Sequence, residues 1–145
     1  MATREEILDI HTMCACSHTR MAARAVTRFY DDALRPSGLK GTQFVLLAAI
    51  EADEAGSITD LADRIEIERT TLVRNLQLLR KEGLVAPEKG ANGRRKPTLT
   101  EKGRGALDAA LPLWRIAQGE IENRLGYGSW QVTRRRLGEL RKAVG

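Results

Sequence analysis

The most regular chemical pattern in the sequence is a polar stripe on a predicted helix over residues 68–82. At 3.6 residues per turn, one face of this helix is apolar and carries Leu72, Leu76 and Leu79. The opposite face carries Thr70, Arg74, Gln77 and Lys81. This stripe contains no acid, and its hydroxyl, guanidinium, amide and ammonium groups are those that contact phosphates and base edges in a major groove. An ordinary solvated helix face would carry similar residues. The neighbouring elements must therefore show whether the stripe is a nucleic-acid-binding surface.

A basic turn follows the polar stripe along the chain. Asn92-Gly93 is a strong signal for a hairpin turn, and a run of three basic residues comes directly after it. Arginine at the tip of a narrow ribbon is drawn to the negative potential of a minor groove, although a basic turn can also serve solubility alone. Helix and ribbon together give ten candidate DNA-contacting residues: Arg69, Thr70, Thr71, Arg74, Asn75, Gln77, Lys81, Arg94, Arg95 and Lys96.

Six helices and one hairpin are expected to position these residues. Hydrophobic periodicity and breakers predict helices over residues 4–34, 42–55, 60–65, 68–82, 101–125 and 130–144. Their expected N-caps include Thr42, Thr59, Thr100 and Ser129, and Pro112 predicts a kink or break in the fifth helix. The third and fourth helices form a helix-turn-helix pattern. The ribbon strands are predicted over residues 84–89 and 94–99.

Composition limits what the chain can be. Its 145 residues fit one domain that buries a core without disulfides or metals. The net charge is +5, but residues 1–55 carry −2, residues 56–105 carry +4 and residues 106–145 carry +3. The positive excess therefore includes the stripe and the ribbon, which suits a polyanionic partner. An aromatic content of 4% disfavours a base-stacking platform for single strands.

The sequence shows no membrane or secretory segment. Its longest apolar run is residues 44–50, far shorter than the ~20 residues that span a bilayer. The first residues lack the apolar region of a secretory signal. We therefore expect a cytoplasmic protein with reduced thiols and no membrane partner.

The ordered set of motifs resembles the MarR family of bacterial winged helix-turn-helix transcription regulators. The resemblance rests on residues 38–47 (GLKGTQFVLL), 61–65 (LADRI), 70–76 (TTLVRNL), 82–85 (EGLV), 93–96 (GRRK) and 99–103 (LTEKG). It implies a mainly α fold with a small β-hairpin wing, in a single domain over residues 1–145. Asn92-Gly93 stands where the family usually has an acidic residue.

The resemblance also implies how this domain is organised. About residues 36–105 would form the winged helix-turn-helix lobe that binds DNA, and about residues 1–35 and 106–145 the flanking dimerisation helices. The partners would be a second copy of the chain and a palindromic operator in double-stranded DNA. The two recognition helices of such a homodimer enter successive major grooves about 34–36 Å apart.

Proteins similar to this one repress, and release DNA when a small molecule or an oxidant changes the dimer geometry. The resemblance places the pocket that senses such a signal where the dimer helices meet the DNA-binding lobe, near the first, second and fifth helices. The unusual side chains of that region are His11, Cys14, Cys16 and His18. They could be structural, with small apolar cysteines, or a thiol sensor, as in some members that resemble this chain. A metal site on one helix face would need another element, because His11 and His18 lie about 10.5 Å apart. Contact with an organic effector is the fourth possibility.

The predicted function is sequence-specific binding of duplex DNA by a regulator, expected to be a repressor released by a small-molecule or oxidant signal. The alternative is a winged-helix protein-interaction module, which would not need an acid-free stripe. No nucleophile–base motif, phosphate-binding loop or dinucleotide fingerprint is present. We therefore expect no enzyme activity, no cofactor and no bound metal. Cys14 and Cys16 on one helix would point to different faces, so an unstrained bridge between them is not expected.

Overall fold

The computed structural model describes residues 1–52, 57–87 and 96–145. Within these ranges the chain forms the helices α1 (Arg4–Met13), α2 (Ala15–Leu34), α3 (Gly41–Ala52), α4 (Ile58–Arg64), α5 (Arg69–Lys81), α6 (Glu101–Leu125) and α7 (Ser129–Val144). A short 3-10 turn, Arg35–Ser37, follows α2. The predicted ribbon tip falls in residues 88–95, which lie outside the described ranges together with the end of the second predicted helix, residues 53–55.

A break at Cys14 divides the N-terminal region into α1 and α2, so the single helix predicted over residues 4–34 is wrong. Cys14 has an extended backbone with ψ of 118°. Its amide still donates to the carbonyl of Ile10 (3.2 Å), and its carbonyl still accepts from the amide of His18 (3.1 Å). The Nε2 atom of the His18 ring donates to the carbonyl of Thr12 (2.7 Å). This bond satisfies a carbonyl that the break deprives of its helical partner.

The predicted helix starts are only partly right. Thr100 caps α6 as predicted, because its side chain accepts from the amide three residues later (3.0 Å). Ser57, rather than Thr59, caps α4. The other two predicted caps, Thr42 and Ser129, lie within α3 and α7. Helix boundaries depend on backbone angles at one residue, which composition constrains weakly.

The core lies between α3, α4, α5 and the first half of α6. Leu72, Leu76 and Leu79 of α5 are buried, which confirms the predicted apolar face. They pack with the other large, fully buried side chains, which are Leu34, Leu47, Ile50, Leu61 and Val85. Burying each of these side chains contributes about 1.5–3 kcal/mol. This core holds the helix-turn-helix as one unit.

The base of the predicted ribbon is present in the described residues. Val85 and Leu99 form an antiparallel bridge, and the amide of Ala86 donates to the carbonyl of Thr98 (2.9 Å). The ribbon therefore begins where the sequence places it, directly after α5 and directly before α6.

The first turn of α6 runs very close to this ribbon base. Gly103 is buried, and a Cβ atom built on it would lie 2.0 Å from the carbonyl oxygen of Leu84. Only a residue without a side chain allows this approach. Further along, α6 continues through Pro112, so of the predicted kink or break the break does not occur. Ala110 and Ala117 on either side are buried, and this packing keeps the helix continuous despite the missing amide.

The flanking helices leave much apolar surface uncovered in one chain. Neither α1 nor α7 has a buried residue, and α2 buries only Leu34. Exposed large apolar side chains on these helices and on α6 include Ile7, Leu8, Ile10, Met13, Met21, Val26, Ile116, Leu125, Val132, Leu137 and Val144. Exposed apolar side chains in this number on neighbouring helices are typical of an interface. In the described part of the chain, none of the helices has both the length and the apolar character of a membrane span.

Candidate nucleic-acid interface and adjoining cavity

The polar stripe of α5 lies on the outer face of the helix-turn-helix. Its four members, Thr70, Arg74, Gln77 and Lys81, are all exposed. The buried leucines of the same helix hold it against the core. Across the described ranges, neither Arg74 nor Lys81 forms an ion pair with another side chain. The cationic groups are thus presented to solvent at helical spacing.

The other predicted DNA-contacting residues fall into three environments. Arg69 is exposed at the start of α5, whereas Thr71 and Lys96 are half-buried. Asn75 is also half-buried and lines a cavity behind the helix, so the structure does not place it in the stripe. Arg94 and Arg95 lie outside the described residues.

Hydrogen bonds fix α5 to its neighbours at both ends. At its start, the amide of Ile67 donates to the carbonyl of Ala62 (3.0 Å), which closes the tight turn after α4. Glu66 in this turn has a left-handed backbone (φ 56°) and pairs with Arg141 of α7 (3.3 Å). At its end, Nε of Arg80 donates to the carbonyl of Ala86 (3.1 Å) at the ribbon base. The stripe and the ribbon base are therefore held in one fixed relation.

A cavity of about 490 Å³ lies behind α5, where the helix-turn-helix meets α2, α6 and α7. Its size is within the usual range for small-molecule sites. The lining residues are Val26, Thr27, Tyr30, Gly41, Thr42, Phe44, Val45, Leu46, Ala49, Ile65, Ile67, Asn75, Trp114, Gln118 and Trp130. Phe44 and Trp114 stack with their ring centroids 6.2 Å apart. Both α5 and the flanking helices therefore contribute walls to one cavity.

A hydrogen-bonded chain forms the polar side of this cavity. The Tyr30 hydroxyl donates to Oε1 of Gln118 (2.5 Å). Nε2 of Gln118 donates in turn to the carboxylate of Glu122 (2.9 Å). Burial, and secondly the negative charge of Glu122, raise the pKa of Tyr30. The Tyr30 phenol therefore keeps its proton to a higher pH than an exposed tyrosine does.

The residues considered for sensing lie apart from this cavity. Cys14 is half-buried at the break between α1 and α2, and Cys16 is exposed in the first turn of α2; both are free thiols. His11 is exposed on α1, and the His18 ring is bonded to a backbone carbonyl. Since Cys14 is not helical, the premise that both cysteines sit on one helix is wrong. Nowhere in the described ranges do three His, Cys, Asp or Glu side chains group as a metal site requires.

The residue pattern did not single out the lining residues of this cavity, although the family resemblance places a pocket near the first, second and fifth predicted helices. The aromatic and amide lining residues come from five separate helices, and no local spacing connects them. One signal was present: Gln118 is a polar residue among apolar and small positions of α6, between the buried Ala117 and the half-buried Gly119.

Comparison with known proteins gives consistent results. A family model described as "MarR family" matches residues 37–96, and no curated protein matches the chain. The crystal structure of the M. tuberculosis transcriptional regulator MosR in complex with DNA is 47% identical. It has a TM-score of 0.80, and the match covers 90% of this chain and 95% of that one.

Two further solved structures share the fold at lower identity. The transcriptional repressor CouR bound to p-coumaroyl-CoA is 21% identical, with a TM-score of 0.78 and coverage of 90% and 94% of the two chains. The S. aureus MepR–DNA complex is 15% identical, with a TM-score of 0.75 and coverage of 92% and 99%. The similarity extends through the flanking helices as well as the helix-turn-helix.

Proposed function

Because the chain belongs to the MarR family of transcriptional regulators, we propose that it regulates transcription by sequence-specific binding of duplex DNA. The observation that carries this proposal is the exposed, acid-free stripe of α5 on a helix-turn-helix. A regulator of this kind needs no catalytic residue. Among the structures that resemble this chain, MosR and MepR are solved with DNA. We propose that this regulator is a repressor.

The contacts divide by position. Arg74 and Gln77 lie in the middle of α5, where side chains reach base edges in a major groove. Arg69 at its start and Lys81 at its end suit phosphates, which fix orientation without reading sequence. Arg94 and Arg95 are proposed to follow a minor groove. Asn75 is left out of this set because it faces the cavity.

We propose that two chains bind the operator together. The apolar faces of α1, α2, α6 and α7 are exposed in one chain, and a second copy covers the same faces by symmetry. A homodimer presents two copies of the stripe to a palindromic site. About residues 36–105 then form the DNA-binding lobe, and the flanking segments form the dimerisation region.

Salt dependence tests the DNA-binding proposal directly. We expect the chain to bind a duplex selected from genomic fragments as two chains per duplex, measured by fluorescence anisotropy with a labelled duplex. If about six phosphates are neutralised by the dimer, log K falls against log salt with a slope of about −5. A slope near zero, or equal affinity for an unrelated duplex, would instead favour a protein-interaction module.

We propose the cavity behind α5 as the effector site. Its walls belong both to the recognition helix and to the flanking helices, so a ligand that fits only one arrangement shifts the population towards it. The fold shared with CouR, which is solved with p-coumaroyl-CoA, accommodates a small molecule. Family and fold are those of transcriptional regulators, so we propose no enzyme activity and a cytoplasmic place of action.

A thiol sensor is a second candidate for the signal, favoured by the position of the two free cysteines. Cys16 is exposed, and Cys14 lies at the break between α1 and α2. If this site senses oxidants, hydroperoxide weakens duplex binding of the parent by about tenfold, and Cys14→Ser blunts the effect. Equal release from the parent, Cys14→Ser and Cys16→Ser in the same anisotropy assay would exclude the thiol hypothesis.

A further inference from the structure

The two helices of the helix-turn-helix end in the same backbone motif, with different residues at its centre. After α5 the motif is centred on Gly83 (φ 76°), and after α4 on Glu66 (φ 56°). In both, the central amide donates to the carbonyl three residues back and the next amide to the carbonyl five residues back, at 2.9–3.3 Å. This Schellman motif needs a left-handed backbone, which glycine adopts freely and other residues adopt at a cost. Within the ranges that the structure describes, Glu66 is the one residue other than glycine with a positive φ.

The side chain of Glu66 reaches from this turn to the last turn of α7. Its Oε2 atom lies 3.3 Å from Nη1 of Arg141. Both side chains are more than half exposed, so water and salt screen the pair and its contribution to the free energy of unfolding is small. Glycine at this position would remove a backbone cost that is larger than this contribution. Fold stability therefore does not account for a glutamate here.

The ion pair connects the two parts of the chain whose relative orientation matters for binding an operator. Glu66 lies three residues before α5 begins, so it is fixed to the start of the recognition helix. At the other end of the pair, α7 has no buried residue and packs on α6, in the proposed dimerisation region. Charge pairs fix register and orientation even where they add little affinity or stability. A pair at this point therefore restrains rotation of the helix-turn-helix against α7.

We propose that Glu66 and Arg141 are positioning residues for operator recognition, whose ion pair sets the angle of the helix-turn-helix to α7 and thereby the spacing of the two α5 helices in the dimer. The inference rests on the proposed function, because only a dimer on two half-sites has such a spacing. One base pair added between the half-sites moves one of them by about 3.4 Å and rotates it by about 35°. A dimer with a fixed angle rejects this change, and a dimer with a loose angle tolerates it.

The preference for half-site spacing is the quantity to measure. Fluorescence anisotropy gives the affinity for the selected operator duplex and for two duplexes with one central base pair more or one fewer. We expect the parent to bind the selected spacing at least about thirtyfold more tightly, since a misplaced half-site loses its base contacts. Glu66→Gly and Arg141→Gln should each reduce this ratio by about fivefold, because the dimer loses two exposed ion pairs. The double variant should show no further reduction, because both changes remove the same pair.

The same set of variants controls for net charge and for stability. Glu66→Gly makes the chain more positive and Arg141→Gln makes it less positive, so equal reductions of the ratio cannot come from charge. Arg136→Gln removes an arginine of α7 that pairs within the helix, with Glu139 (2.8 Å), and should keep the parent's ratio. Arg141→Lys retains the positive charge and should keep most of it. In chemical unfolding at matched protein concentration, Glu66→Gly should unfold at a higher denaturant concentration than the parent, because glycine is favoured at this position.

Several results would overturn the inference. These are an unchanged ratio in Glu66→Gly or in Arg141→Gln, additive reductions in the double variant, an equal reduction in Arg136→Gln, or earlier unfolding of Glu66→Gly than of the parent. Equal affinity of the parent for all three spacings would also overturn it. If the parent prefers its operator to an unrelated duplex and one of these results appears, this inference alone fails. If the parent prefers no duplex, the proposed function fails and this inference fails with it.

Discussion

Arg74→Ala is expected to reduce affinity for the selected operator duplex by about thirtyfold or more. Each guanidinium that pairs with a base edge contributes about 1–3 kcal/mol, and a homodimer loses two of them. Arg74 is exposed at the middle of α5, and no described side chain neutralises it. The variant should also discriminate less between the operator and a duplex with one changed base pair.

The matched control is Arg115→Ala. Arg115 is also an exposed arginine on a helix, but it lies on α6, away from the stripe. Its loss removes the same charge and should leave duplex affinity within about twofold, because long-range effects are screened at physiological salt. Equal losses in the two variants would mean that net charge alone drives binding. An unchanged affinity in Arg74→Ala would remove α5 as the recognition helix.

Gly103→Ala is expected to destabilise the folded chain by about 3 kcal/mol or more. The added methyl would meet the carbonyl oxygen of Leu84 at 2.0 Å, and that oxygen belongs to backbone. Either α6 or the ribbon base must then move, and the Leu84 carbonyl also accepts from the amide of Thr100 (3.1 Å). Overpacking against backbone is costly because no rotamer change relieves it.

Gly105→Ala provides the opposite result within the same helix turn. A Cβ atom on Gly105 meets nothing within 4 Å, and the residue is exposed. Alanine is the better helix former, so this variant should gain about 0.5–1 kcal/mol. Chemical unfolding followed by circular dichroism at matched protein concentration measures the free energy of unfolding of both variants. If the two variants unfold at the same denaturant concentration, the close approach of α6 to the ribbon base does not exist.

Helical periodicity was sufficient to predict α5 and the buried set Leu72, Leu76 and Leu79. The pattern arises because one face of the helix must be buried against the core, and three leucines at helical spacing mark that face. The match of α6 to its predicted range depends on Thr100, whose capping bond is local. Elements set by interactions within four residues are accessible from sequence in this way.

Other features depend on contacts between distant segments. No glycine or proline marks the break at Cys14, which depends on one ψ angle and on the bond from His18 to a carbonyl. Pro112 carries a strong local signal for a break, but packing on both sides overrides it. The cavity exists only after five helices, α2, α3, α5, α6 and α7, meet.

The length of α6 has a mechanical consequence. Its 25 residues make a rod about 37 Å long at 1.5 Å per residue. One end touches the ribbon base through Gly103, and the other leads through Gly126 into α7. A tilt of about 5° about one end displaces the other by about 3 Å, roughly the length of a hydrogen bond. In the proposed homodimer the helix therefore acts as a lever: a tilt of this size at the α7 end moves the ribbon base at the other end by about 3 Å.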